Sequence, residues 1–118
     1  MKHALIGAAV AAILPAIAAA EGMTNMDLGQ FSNRESCMAK AEQVMERYIR
    51  THGGFEFQST EWVVYGWDFT PGDQDVSIMC PWVSDTVVNA FLVVHGETTD
   101  EERIFTAETL ERFWQGRK

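Results

Sequence analysis

The residues of this chain whose types could do chemistry are three turn-borne aspartates, two of its histidines, a methionine pair and two cysteines. Asp68, Asp73 and Asp75 surround the turn Thr70-Pro71-Gly72-Asp73 and could present oxygen ligands to calcium, but their spacing is not that of an EF-hand loop. His52 and His95 are widely separated and offer no zinc-ligand spacing. Met23 and Met26 form an M-x-x-M pair, a soft thioether set suited to copper(I). One pair falls short of a site, and methionine is also the ordinary gap-filler of apolar contacts. No G-x-S-x-G, H-E-x-x-H or phosphate-loop pattern occurs. The expectation is therefore no enzyme, no cofactor and no resident metal.

Cys37 and Cys80 lack C-x-x-C spacing, so redox chemistry is the weaker use for them. An exported chain with two cysteines pairs them, and two allow a single connectivity. Export itself is read from the first twenty residues. Lys2 and His3 make a short basic region, Ala4 to Ile17 an apolar run, and Ala18-Ala19-Ala20 a small-residue cleavage pattern before Glu21. The run is short and alanine-rich for a spanning helix, which needs about 20 apolar residues. The expected location is periplasmic or secreted, with no stable membrane insertion after cleavage.

The chain has 118 residues, with 9 Lys+Arg and 17 Asp+Glu. Loss of Lys2 with the leader leaves 8 against 17, a mature net charge of −9. Such acidity excludes nucleic acid as an expected partner and disfavours anionic membranes. The organisation read from the sequence is a signal peptide over 1–20, a flexible N-terminal arm over 21–31, and one α+β domain over 32–118.

The domain's elements follow from periodicity. Ser32 with Glu35 matches a capping box, and Cys37, Ala41, Val44, Met45 and Tyr48 then recur at helical spacing until Gly53-Gly54. From Phe55 the composition turns aromatic and β-branched, predicting one long strand to Asp68. After the Pro-Gly turn, a second strand carries Val76, Ile78 and Cys80 on one face, and a third runs from Thr86 to His95. Thr99 with Glu102 caps a final helix whose buried stripe is expected to be Ile104, Ala107, Leu110 and Trp114, with Phe105 and Phe113 beside it. The predicted architecture is α-β-β-β-α, a three-stranded antiparallel meander with both helices on one face. A helix-to-strand disulfide joins Cys37 and Cys80.

Three strands covered on one side leave the other side open. Alternation sends Met79, Phe91, Val93 and His95 outward, and the first strand adds either Trp62 and Val64 or Val63, Tyr65 and Trp67. The candidate binding face is Tyr65, Trp67, Met79, Phe91, Val93 and His95. Exposed aromatic surface of that kind marks an interface. The expected role is a small acidic binding protein, associating with a protein partner or with itself as a homodimer; acidity favours a basic extracytoplasmic protein. The alternative is a small-ligand or glycan-binding module that stacks its ligand on Trp62, Trp67 or Trp82.

Overall fold

A computed structural model describes residues 22–118, and the leader read over residues 1–20 lies outside the described residues. The elements are β1 (Gly22–Phe31), α1 (Arg34–His52), β2 (Glu56–Ser59), β3 (Val63–Phe69), β4 (Gln74–Met79), β5 (Val88–Gly96) and α2 (Asp100–Trp114). The strands form one sheet in the order β1-β5-β4-β3-β2, antiparallel throughout. Among the described residues, no helix is long and apolar enough to cross a membrane.

The α+β class and the helix-to-strand bridge stand; the three-stranded sheet is corrected to five strands. One extra strand comes from residues 22–31, read above as an arm. Their alternation is hard to see because polar Thr24 shares the inner side with Met26 and Leu28, while apolar Met23 shares the outer side with Asn25 and Asp27. What makes β1 a strand is a distant partner, β5, paired from Gly22↔Gly96 to Phe31↔Val88. The other comes from splitting the long strand expected over 55–68. Thr60 N–H donates to Val63 O at 2.8 Å, and Thr60 Oγ1 accepts from Val63 N–H, closing a tight turn between β2 and β3. A polar turn without glycine or proline leaves little local signal.

Helix α1 starts one residue later than the Ser32 capping box implied. Asn33 is the cap, its side-chain oxygen accepting from Ser36 N–H at 2.8 Å. The helix stops at Gly53, whose φ of 103° is accessible to glycine and lets its N–H reach the carbonyls of Ile49 and Tyr48. Its stripe of Cys37, Ala41, Val44, Met45 and Tyr48 is buried as expected. These side chains pack on the inner sheet residues Val64, Val76, Ile78, Val88, Ala90, Leu92 and Val94. Each fully buried Val, Ile, Leu or Met among them contributes roughly 1.5–3 kcal/mol. Cys37 and Cys80, both fully buried, form the disulfide with Cα atoms 6.1 Å apart.

Helix α2 carries the expected capping box: Glu102 N–H donates to Thr99 Oγ1 and Thr99 N–H donates to a Glu102 carboxylate oxygen, each at 3.1 Å. Its buried stripe differs from the expectation. Ala107, Leu110, Phe113 and Trp114 are inside, but Ile104 and Phe105 are exposed while Arg103 and Thr106 are buried. The reason is polar. Arg103 Nη1 donates to Gly96 O at 3.1 Å and also to Thr98 O, satisfying carbonyls at the end of β5, and Nη2 pairs with Asp100. Seating that guanidinium turns the first turn of the helix so that Ile104 and Phe105 look outward.

Candidate interaction surface

Both helices cover one side of the sheet, and the register settles what lies on the other. Tyr65 stands opposite Ser77, which stands opposite Val93, which stands opposite Asn25. In the next row Trp67 pairs with Glu56 on β2, while His95 lies between Asp75 and Met23. In a third row Met79 lies between Val63 and Phe91, with Asp27 beyond Phe91. Directly paired residues share a sheet face, so Tyr65, Trp67, Met79, Phe91, Val93 and His95 are brought together on one outer surface. The choice left open for the first strand falls to Val63, Tyr65 and Trp67, because Val64 is fully buried against the helices.

The surface is aromatic at one end and soft at the other. The Tyr65 and Trp67 rings stack with centroids 6.1 Å apart, and Tyr65 is 39% exposed. Between β1 and β5 lies a shallow groove of about 490 Å³, lined by Met23, Asn25, Asp27, Met79, Phe91 and Val93 among others. Met23 is 64% exposed here, whereas Met26 packs against the core on the opposite side of the strand. The M-x-x-M pair is thus divided between two faces, as a strand requires of residues three apart. Trp62 and Trp82 do not join Trp67. Both stand in loops, and Cys80 N–H bonds to Trp62 O, so they belong to the far end of β3, where Arg34 lies 5.9 Å over the Trp82 ring.

The charges on this surface share a sign. No Lys or Arg occurs between residues 51 and 102, and the five strands contain none. The cations Arg34, Lys40, Arg47, Arg50, Arg103 and Arg112 sit on the two helices, with Arg117 and Lys118 beyond α2. Register places the carboxylates of Asp27, Glu56 and Asp75 on the outer face together with His95. Asp27 is held ionised. The Asn89 side-chain amide donates to its Oδ1 at 3.0 Å and Gly29 N–H at 2.8 Å, keeping the carboxyl below its ordinary value of 3.8. Asp27 lies in the segment expected to be an arm, and Glu56 in the single strand expected over 55–68 rather than on a separate strand paired with Trp67; the long Lys- and Arg-free stretch is the sequence signal for this polarity.

The other chemical candidates remain separate. Asp75 accepts from Asp68 N–H at 3.3 Å, which ties the acidic turn to its own backbone. Among the described residues, no three His, Cys, Asp or Glu side chains are placed to hold a metal ion. His52 ends helix α1 in the helical layer and His95 lies across the sheet from it. No family model, curated protein or solved structure matches this chain.

Proposed function

We propose that this is a small extracytoplasmic binding module that takes a basic protein partner on the outer face of its sheet. The observation that carries the reading is an uncovered face with Tyr65, Trp67, Met79, Phe91 and Val93 together, whose carboxylates Asp27, Glu56 and Asp75 stand on strands that carry no Lys or Arg. Apolar anchors supply binding energy, and a rim of one sign steers a partner of the other. The same rim disfavours a homodimer closed face to face. Such a dimer would set two copies of each carboxylate against one another, and like charges across an interface cost several kcal/mol. Edge-to-edge pairing is also hindered, since β1 is interrupted by a bulge between Asp27 and Gly29 and β2 has four residues. The Cys37–Cys80 bridge suits an oxidising compartment, and export to the periplasm or beyond is part of the proposal.

The test uses the intact oxidised protein and a short alternating Lys/Val peptide as probe, with the Glu/Val peptide as control, followed by amide NMR. The Lys/Val peptide is expected to shift resonances of β3, β4 and β5 outer residues, with affinity falling as salt rises. Trp67→Ala and Phe91→Ala should each weaken it roughly tenfold or more, as for buried aromatic anchors, whereas Trp82→Ala leaves it unchanged. Equal binding of the two peptides, or shifts confined to the helices, would refute the reading. Sedimentation at micromolar concentration should show a monomer.

A further inference from the structure

A second concavity lies away from the outer sheet face, where the end of α1, the turn after β3 and the start of α2 meet. It holds about 480 Å³ and is lined by His52, Thr70, Pro71, Glu101, Glu102 and Phe105. That volume is within the range of small-ligand sites, about 300–1,000 Å³. Its His52 wall is the outer end of a buried aromatic column. Phe69 and Tyr48, both fully buried, stack with centroids 5.0 Å apart, and His52 continues the stack 4.8 Å from Tyr48. The column is fixed in place: the Tyr48 hydroxyl donates to Thr70 O at 2.6 Å and also meets Thr106 Oγ1 at 3.2 Å. Phe105 forms a side wall, its ring 5.8 Å from the His52 ring at 62°.

Phe105 is 46% exposed and Ile104 beside it 45%, on a helix whose core positions at that level are taken by Arg103 and Thr106. Neither residue belongs to the buried core. An exposed aromatic that breaks the amphipathic pattern, next to an open concavity, is the kind of local exception that functional sites produce.

The charge around the site selects the ligand. A helix N-terminus ordinarily attracts anions, but the first turn of α2 carries Asp100, Glu101 and Glu102. The C-terminal end of α1 adds its own negative dipole end. Arg103, the nearest cation in sequence, is turned inward onto Gly96 O, Thr98 O and Asp100. The Phe105 face, with Glu101 and Glu102 at the rim, favours an ammonium group by cation–π and ionic attraction while accepting an apolar body. The geometry points to this cleft as a binding site for a small organic ammonium compound carrying an apolar group, independent of the partner surface on the sheet.

The test is titration of the intact oxidised protein with phenethylamine, followed by amide and aromatic NMR, with 2-phenylethanol and phenylacetate as isosteric controls. The amine should give saturable shifts at His52, Thr70 and Phe105. The neutral alcohol should bind at least about tenfold more weakly, reflecting the lost cation–π and ionic contacts, and the carboxylate should not bind there. Glu101→Gln should weaken the amine roughly threefold, and Phe105→Ala should abolish saturation while leaving the far-ultraviolet spectrum intact. Trp67→Ala should leave amine binding unchanged, separating this site from the sheet face. Equal shifts by amine and carboxylate, an amine affinity untouched by both Glu101→Gln and Phe105→Ala, or shifts mapping to the sheet face would overturn the proposal.

Discussion

Removing the Cys37–Cys80 bridge should destabilise the protein by about 4 kcal/mol. The bond closes a chain segment of 43 residues. Cross-linking over that length removes about 13 cal/mol/K of entropy from the unfolded chain, or about 4 kcal/mol at 25 °C. Small domains hold about 5–15 kcal/mol in total, so the loss is a large share of what keeps this one folded. Using about 2.1 cal/mol/K of unfolding entropy per residue, the melting temperature should fall by about 20 °C. Two perturbations separate the bond from its atoms. Reduction in place keeps both sulfur atoms, which are fully buried, whereas Cys37→Ala with Cys80→Ala also removes packed sulfur and should cost somewhat more. Urea unfolding followed by circular dichroism measures both. If the reduced protein unfolds within about 1 kcal/mol of the oxidised one, the loop-entropy reasoning fails for this chain and with it the link between fold and an oxidising compartment. Agreement would mean that the protein reaches its full stability only where the bridge can form, in an oxidising compartment.

Two further perturbations probe the polar groups. Tyr48→Phe removes the hydroxyl that bonds Thr70 O and Thr106 Oγ1, and should cost about 1–2 kcal/mol in urea unfolding because a part-buried carbonyl loses its donor and the buried Thr106 hydroxyl loses a partner. Burial raises the Tyr48 phenol above its ordinary value of 10.0, with the Thr106 contact opposing. A raised folded-state value means the stabilising contribution is complete below pH 10.0 and is lost as pH climbs through the folded value. Wild type should therefore lose stability in that alkaline window by a component that Tyr48→Phe lacks, and parallel profiles for the two proteins would contradict the assignment. For Asp27 the sign reverses: its lowered carboxyl contributes above 3.8 and loses that contribution as pH falls through the folded value. In a carboxyl-carbon NMR titration its midpoint should lie below 3.8, and Asn89→Ala should move it upward; an unmoved midpoint would show that the Asn89 amide is not the cause.

Where short-range chemistry decides an element, the residues announced it. The stripe Cys37, Ala41, Val44, Met45 and Tyr48 and the Thr99–Glu102 box specify helices from neighbours three and four positions away, and both are found as expected. The alternation of Val76, Ile78 and Cys80 against Met79 likewise assigned inner and outer faces, as did Val88 to His95. Four outer-face residues, Met79, Phe91, Val93 and His95, follow from this pattern, because a strand offers each side chain two directions and one core selects between them; Tyr65 and Trp67 join them only through the tertiary structure, in which Val64 is buried against the helices. The two cysteines and the apolar stripes together also predicted which helix would meet which strand.

The remaining features depend on partners distant in the chain. Residues 22–31 carry no clean alternation, and they are a strand because β5 offers its free edge. The break at residues 60–62 reflects a hairpin closed by Thr60 and Val63, with pairing between β2 and β3 holding it. The outward turn of Phe105 follows from where the carbonyls of Gly96 and Thr98 lie, since the Arg103 guanidinium must reach them. By itself, then, the sequence determined the helices, the two central strands, the disulfide and the sign of the charge. Tertiary structure decided which side that charge occupies and where the clefts open, because sheet edges and buried cations are satisfied by atoms many residues away, and local periodicity holds no record of them.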